Sequence, residues 1–137
     1  MRFRFALSAV LLLSIMSLPA FAQQPYQWGR PRPPQTGACF YKDANFGGLY
    51  FCLKQGQNWD AMPPGFNDKI SSIRLFHGAQ VRIFADSNFR GANSRIPRDV
   101  MDLSHFRLRN DPSRTWNDRV SSIAVYRAND EWDRGHP

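Results

Sequence analysis

Two six-residue stretches of the sequence have the composition of a cation-binding site. They read NDKISS at Asn67–Ser72 and NDRVSS at Asn117–Ser122. Each offers one carboxylate with amide, hydroxyl and backbone carbonyl oxygens, and neither contains a thiolate or an imidazole. Hard oxygen donors of this kind suit calcium better than zinc or copper. The pattern favours two calcium sites, and the alternative is a pair of simple turns whose Asp and Ser cap backbone groups.

A second repeated pattern precedes each of these stretches. YKDANFGG at Tyr41–Gly48 and FADSNFRG at Phe84–Gly91 share an aromatic residue, Asp, Asn, Phe and Gly at positions 43 residues apart. The NDxxSS stretches are 50 residues apart, so the second unit has seven extra residues. We expect this insertion within Met101–Trp116, which contains the turn-forming sequence NDPS. The chain is therefore a duplicated unit with one insertion.

Each unit contains the same succession of short β segments. A strand, a tight turn and a second strand are followed by a Pro-containing link, the NDxxSS stretch and a closing strand of alternating apolar residues. No helical period extends over ten residues, although Asp99–Phe106 could form one turn of helix. This succession predicts an all-β sandwich with Greek-key connections.

The turn between the first two strands of each unit should fold back on the hairpin. Its Phe would cover the first aromatic residue, and the Gly that follows supplies the positive φ that such a turn needs. The last Ser of the NDxxSS stretch would then hydrogen-bond the open backbone groups of the turn. The residues in these roles are Phe46, Gly48 and Ser72 in the first unit and Phe89, Gly91 and Ser122 in the second.

The aromatic-x4-aromatic-x-Gly hairpin followed by NDxxSS, present twice, resembles the microbial branch of the βγ-crystallin family. The resemblance covers residues 38–127. It implies one all-β domain in which two Greek keys, residues 38–77 and 78–127, form an eight-stranded sandwich. It also implies a pair of calcium sites related by a pseudo-twofold axis, in a module with a structural or protective role.

The resemblance also assigns ligands to the calcium ions. In this family the fifth position of the stretch gives a hydroxyl, and the third gives its backbone carbonyl. The acidic or amide pair at the first two positions ligates or bridges, and a further carbonyl follows the first aromatic residue of the hairpin. These positions are Asn67, Asp68, Lys69, Ser71 and Lys42 in the first unit, and Asn117, Asp118, Arg119, Ser121 and Ala85 in the second.

A related group suggests a different function. The stretch CFYKDANFGGLYFCL, from Cys39 to Leu53, resembles the cysteine-framed hairpin of crystallin-like microbial inhibitors of metalloproteinases. This resemblance implies a secreted proteinase as partner, and it is compatible with calcium binding. The sequence does not locate an inhibitory loop, so the inhibitor is the alternative function.

The two ends of the chain have the composition of a leader and of flexible segments. Residues 1–22 show the basic start, apolar middle and small-x-small end of a secretory signal peptide, and a retained anchor is the alternative. The Pro-rich residues 23–37 predict a flexible lead-in, and the polar residues 128–137 a flexible tail. We therefore expect a secreted or periplasmic protein with no transmembrane segment after cleavage.

The only two cysteines are Cys39 and Cys52. Export would place them in an oxidising compartment, and the sequence between them contains the turn residues of a hairpin. We therefore expect a disulfide, with two reduced thiols as the alternative. A bridge that closes a loop of this size stabilises a domain by roughly 3 kcal/mol.

The charge and the remaining polar residues favour a binding protein over an enzyme. The net charge is +7, which permits contact with an anionic cell surface, but the basic residues are spread along the chain and do not indicate nucleic acid. The three histidines, His77, His105 and His136, belong to no HExxH, GxSxG or phosphate-loop motif. We therefore predict no catalytic residues.

Overall fold

The computed structural model describes residues 28–128 and Asp130. The predicted signal peptide, residues 1–22, and most of the predicted tail lie outside the described residues. The described chain forms short β-strands with one 3₁₀ turn, Leu103–His105, between the sixth and seventh. The strands are β1 (Gly37–Asp43), β2 (Gly47–Lys54), β3 (Asn58–Trp59), β4 (Ser72–Phe76), β5 (Ala79–Asp86), β6 (Arg90–Ile96), β7 (Arg107–Leu108), β8 (Asp111–Thr115) and β9 (Ser122–Arg127).

The strands of the described residues form two main antiparallel sheets and one small hairpin. The first sheet has the order β2-β1-β4, the second β3-β9-β5-β6, and β7 pairs only with β8. Strand β1 pairs with β2 in a hairpin and with β4 on its other side. Strand β5 has the same position in the second sheet, between β6 and β9. The two units therefore form the same local arrangement twice.

The two units exchange their third strands. Strand β3 leaves its own sheet and pairs with β9, where Trp59 lies opposite Ile123. In return, Val100 of the second unit pairs with Ile73 of β4 through two backbone hydrogen bonds of 2.9 Å. Each sheet thus contains a segment of the other unit, which is the connection expected of interlocked Greek keys.

The all-β fold class is confirmed, but the predicted count of eight strands is only approximate. In the described residues the third strand of the second unit is reduced to a single bridge at Val100. Strands β7 and β8 are additional and lie within the insertion. This insertion lies inside Met101–Trp116, as predicted. The short helical turn also lies where it was expected, and the Asp102 carboxylate caps it by accepting from the Ser104 N–H at 2.8 Å.

The core lies between the inner faces of the two main sheets. Ile73, Ile83 and Ile123, one from each of three strands, are fully buried there, together with Phe40 and Trp116. Burying an apolar side chain of this size contributes about 1.5–3 kcal/mol. The alternating apolar residues of each closing strand therefore hold the sheets together.

The Pro-rich segment differs from the expectation of a flexible lead-in over its described part, residues 28–36. Gly29 forms a backbone bridge with Tyr50 of β2, with N–O distances of 3.1 and 2.9 Å. The Trp28 ring stacks on Phe66 at 4.7 Å, and its Nε1 donates to the carbonyl of Gly65 at 2.8 Å. The segment is held by an aromatic anchor, a backbone bridge and further hydrogen bonds to β2 and its end, and such contacts leave no periodic signal in the sequence.

The structure contains the predicted disulfide. Cys39 and Cys52 lie directly opposite each other on β1 and β2, with a Cα–Cα distance of 4.1 Å, and their sulfur atoms are bonded. Neither cysteine remains free. The bridge therefore staples the hairpin of the first unit, and the second unit has no equivalent.

Candidate metal centre

The hairpin turns of both units fold back in the same way. Asn45 and Phe46 have φ values of 55° and 57°, and Asn88 and Phe89 have 59° and 57°. The turn Phe lies against the first aromatic residue of its hairpin, with ring centroids 5.5 Å apart in the first unit and 5.6 Å in the second. The predicted folded hairpin is therefore present twice.

The glycine after each turn is required by a carboxylate. Gly48 and Gly91 have φ values of 73° and 75°. A Cβ at either position would lie 2.3 Å from a carboxylate oxygen, that of Asp43 or Asp86. The two aspartates therefore pack over the bare backbone of the glycines, a role that the sequence analysis did not assign although the Asp recurs in the repeated hairpin.

The last serine of each NDxxSS stretch joins the closing strand to the folded hairpin. The Ser72 hydroxyl donates to the carbonyl of Asp43 at 2.6 Å and accepts from the Phe46 N–H at 3.1 Å. In the second unit the Ser122 hydroxyl donates to the carbonyl of Asp86 at 2.6 Å and accepts from the Phe89 N–H at 3.1 Å. Both serines are fully buried, and the predicted contact is present in both halves.

The aspartates of the two stretches share one local geometry. Asp68 and Asp118 both have a φ of 52°, a left-handed conformation that Asp tolerates better than most residues. The side-chain amide of Asn67 donates to Asp68 at 2.9 Å, and that of Asn117 donates to Asp118 at 3.0 Å. The same contact between amide and carboxylate is therefore present in both stretches.

Each aspartate is hydrogen-bonded to the opposite stretch. The Asp118 N–H donates to the carbonyl of Ile70 at 3.1 Å, and the Asp68 N–H donates to the carbonyl of Val120 at 3.3 Å. These reciprocal bonds cross the pseudo-twofold axis between the units. They place the backbone of each aspartate next to the residue that precedes the fifth-position serine of the other unit.

The fifth-position serines have free hydroxyls. Ser71 and Ser121 use their backbone N–H groups to donate to the carbonyls of Tyr41 and Phe84, each at 2.9 Å. Within the described chain neither side-chain hydroxyl takes part in a hydrogen bond, whereas the hydroxyls of Ser72 and Ser122 are fully used. The structure therefore separates the two serines of each stretch into a structural residue and an available oxygen donor.

A cavity of about 350 Å³ lies beside the second stretch. It brings together four of the predicted site residues and four residues that the sequence did not predict for the site. The other six predicted residues do not line it, among them the fifth-position serines; they are Lys42, Asn67, Lys69, Ser71, Asn117 and Ser121. The predicted residues in its lining are Asp68, Ala85, Asp118 and Arg119, and the additional ones are Asp86, Ala92, Leu108 and Arg114.

The insertion hairpin supplies two of these additional residues. Arg114 on β8 lines the cavity, and its Nε lies 3.9 Å from an Asp111 carboxylate oxygen. Hydrogen bonds from Ser113 hold the pKa of Asp111 below its usual value, and the guanidinium groups of Arg114 and Arg119 contribute in the same direction. Two guanidinium groups, those of Arg114 and Arg119, therefore belong to residues that line the same cavity as Asp68 and Asp118. The spacing of the repeats predicted where in the sequence the insertion lies, but not that it packs beside the second NDxxSS stretch.

The donor chemistry of both stretches fits a calcium ion. Within residues 28–128 and 130, no group of three or more His, Cys, Asp and Glu residues converges on one point. A cation at either stretch would therefore depend on carbonyl and hydroxyl oxygens with one carboxylate, a ligand set that calcium accepts and that softer metals do not prefer.

Comparison with known proteins identifies the family. A family model described as peptidase inhibitor family I36 matches residues 29–96. Among solved structures, a βγ-crystallin domain from Flavobacterium johnsoniae is 32% identical, with a TM-score of 0.55, over 68% of this chain and 97% of that domain. The chain belongs to the βγ-crystallin family.

Two other βγ-crystallin structures support this assignment. One, concerned with the evolution of the eye-lens βγ-crystallin domain fold, is 27% identical with a TM-score of 0.57, over 72% of this chain and 94% of that one. A double mutant of a βγ-crystallin domain from Clostridium beijerinckii is 26% identical with a TM-score of 0.53, over 66% of this chain and 96% of that domain. No curated protein gives a significant match. The family resemblance drawn from the two motifs is confirmed.

One further structural finding concerns the membrane. Between Trp28 and Ala128, and at Asp130, the chain contains no helix of the length and apolar character needed to cross a bilayer.

Proposed function

We propose that this βγ-crystallin domain is an exported, non-enzymatic calcium-binding module with a structural or protective role. The observation that carries the proposal is the reciprocal pair of hydrogen bonds from Asp68 to Val120 and from Asp118 to Ile70. These bonds join the backbone of each aspartate to the residue that precedes the fifth-position serine of the other unit. Two corners rich in oxygen donors thus form at the junction of the two Greek keys.

Each proposed site combines ligands from both units. The hydroxyl of the fifth-position serine and the carbonyls of the third-position residue and of the hairpin residue come from one unit, and the carboxylate comes from the other. The bound ion would neutralise the two aspartates and hold the halves together. The first set is Lys42, Lys69, Ser71 and Asp118, and the second is Ala85, Arg119, Ser121 and Asp68, with Asn67 and Asn117 hydrogen-bonded to the carboxylates.

The ligand set implies weak binding with a measurable effect on stability. With one carboxylate per site, we expect dissociation constants of roughly 10⁻⁵ to 10⁻³ M, between weak sensors and extracellular modules. Calcium at about 100 times the dissociation constant would stabilise the folded state by about 2.7 kcal/mol per site. Calcium in the extracellular or periplasmic space would then determine how rigid the module is.

Calorimetric titration of Ser71→Arg and Ser121→Arg tests the proposal. Each substitution replaces a free hydroxyl with a bulky cation, so each variant should lose one of two calcium sites, and the double variant should lose both. Ser94→Arg, at a half-exposed position in the middle of β6, is the control and should keep both sites. Unchanged binding in the double variant contradicts the proposal.

The export part of the proposal depends on residues 1–22. We propose that they direct the chain out of the cytoplasm and are removed before Gln23. Mass spectrometry of the protein from the producing cell should find the N-terminus at or near residue 23. An intact protein that begins at Met1 and remains with the membrane fraction would support a retained anchor instead.

A second candidate function is inhibition of a secreted metalloproteinase. It is favoured by the match of the peptidase inhibitor family model to residues 29–96, which include the disulfide-bonded hairpin and the docked part of the Pro-rich segment. A panel of secreted metalloproteinases tests it, with and without calcium. Inhibition at micromolar protein that disappears when the disulfide is reduced would support it, and no inhibition of any member at that concentration would remove it.

A further inference from the structure

A second cavity lies at the other end of the sandwich from the NDxxSS stretches. It has a volume of about 560 Å³. It forms where the Pro-rich segment enters β1 and where β2 and β9 end, whereas the NDxxSS stretches contact the opposite end of β1, near Tyr41 and Asp43. The two regions are therefore separated by the length of the strands.

The charged residues that line this cavity are all cationic. Arg32 comes from the Pro-rich segment, Lys54 from the end of β2 and Arg127 from the end of β9. No carboxylate lines the cavity, and no ion pair connects these three side chains to an acid anywhere in the described chain. Like charges brought together repel one another, and a bound anion would remove that repulsion.

The backbone holds these residues in place without a ligand. The Tyr50 hydroxyl donates to the carbonyl of Pro31 at 2.9 Å, and the Gln55 N–H donates to the carbonyl of Thr36 at 3.0 Å. Between these anchors the segment contains Pro33 and Pro34, which fix φ and stiffen the chain. The docked segment therefore presents Arg32 from a prearranged backbone, which lowers the entropy cost of binding.

Neutral donors complete the cavity. Thr36, Gln35 and Gln55, whose side chains carry hydroxyl and amide groups, also line it. Arginine and lysine side chains with hydroxyl and amide donors are the groups that recognise phosphate, sulfate and carboxylate oxygens. The volume exceeds that of a single phosphate and suits a small ligand with several anionic groups.

We propose that this cavity binds a small oxyanion that carries two or more phosphate, sulfate or carboxylate groups. The site is independent of calcium binding, because it uses no residue of either NDxxSS stretch. It adds a binding function at the end of the domain that the Pro-rich segment completes.

Amide chemical shifts of the exported protein, with its disulfide intact, test the proposal. Pyrophosphate and citrate are titrated separately in metal-free buffer at constant ionic strength. We expect saturable shifts confined to the amides of Thr36, Lys54, Gln55 and Arg127. The triple variant Arg32→Gln, Lys54→Gln, Arg127→Gln should weaken binding by about tenfold or more, since it removes three charged contacts.

A matched control distinguishes a site from overall charge. The triple variant Arg90→Gln, Arg98→Gln, Arg109→Gln removes the same charge from exposed positions outside the cavity and should bind as the parent does. Equal weakening in both triple variants, or shifts that do not saturate, would overturn the proposal. Retention on vesicles of anionic lipid without saturable binding of either soluble anion would also overturn it, in favour of a membrane surface.

Discussion

The two halves of the domain are nearly identical where the motifs lie and different around them. Asp68 and Asp118 have the same φ of 52°, and Ser72 and Ser122 make hydrogen bonds of the same length to their hairpins. The first half, however, carries the disulfide and the docked Pro-rich segment. The second half has neither and instead carries the β7–β8 hairpin, which brings Arg114 to the edge of its stretch.

This comparison separates two kinds of sequence information. The repeated residues determine the local backbone, because each fulfils a short-range steric or hydrogen-bonding requirement that is the same in both halves. The residues that differ determine how each half is stabilised and what charge surrounds its stretch. The halves should therefore respond alike to changes within the motifs and differently to changes around them.

Removal of the disulfide should give the largest effect and should act on the first half. Cys39→Ser with Cys52→Ser should lower the free energy of unfolding by roughly 3 kcal/mol, because the unfolded chain regains the entropy of a closed loop. Chemical denaturation of the variant and the parent measures this loss. A difference below about 1 kcal/mol would mean that β1, held between β2 and β4, does not need the staple.

Loss of the buried serine hydroxyl should have the same effect in both halves. Ser72→Ala and Ser122→Ala each leave a partly buried turn N–H without its acceptor, which costs up to about 1–3 kcal/mol. Ser87→Ala, an exposed hydroxyl in the second hairpin, is the control and should be close to neutral. Thermal and denaturant unfolding of the three variants test the comparison, and unequal losses for Ser72 and Ser122 would show that the two hairpins are not equivalent.

The charge of the insertion hairpin should affect only the second stretch. Arg114→Gln removes a cation from the cavity that contains Asp68 and Asp118, so calcium affinity there should rise by up to about fivefold, the effect of one exposed charge. Arg109→Gln, on the same hairpin but outside that cavity, is the matched control and should change affinity less. The measurement is calcium titration at low salt in the Ser71→Arg background, which isolates the second site. Equal effects of the two substitutions would show that only net charge matters.

The smallest effect concerns pH. Hydrogen bonds from Ser113 depress the pKa of Asp111 below its usual value of 3.8 in the folded state. A carboxyl group whose pKa is lower in the folded state than in the unfolded state stabilises the fold at pH values above the unfolded-state pKa. This stabilisation is lost as the pH falls through the folded-state pKa. We expect the NMR chemical shift of the Asp111 carboxyl carbon to titrate with a midpoint below pH 3.8. Asp111→Asn should remove this pH dependence from the hairpin. A midpoint at or above 3.8 would contradict the assignment.

The sequence predicted the parts of the fold that depend on short-range requirements. Residue types at fixed spacing predicted four features. These are the glycines Gly48 and Gly91, the folded Phe turns, the serine contacts and the disulfide. Contacts between segments far apart in the chain determine three other features. These are the exchange of β3 for the Val100 bridge, the docking of Trp28 and the position of Arg114. Composition gives no direct signal for such contacts, which is why the Pro-rich segment was expected to be flexible.

The central claim is that the two halves meet around two calcium ions. Thermal unfolding of the protein in chelator and in millimolar calcium tests this claim, with the Ser71→Arg, Ser121→Arg double variant measured in parallel. We predict that calcium raises the midpoint of the parent by several degrees, as about 1 kcal/mol or more of added stability requires in a domain of this size, and leaves the double variant unchanged. An equal midpoint with and without calcium in the parent would contradict the account.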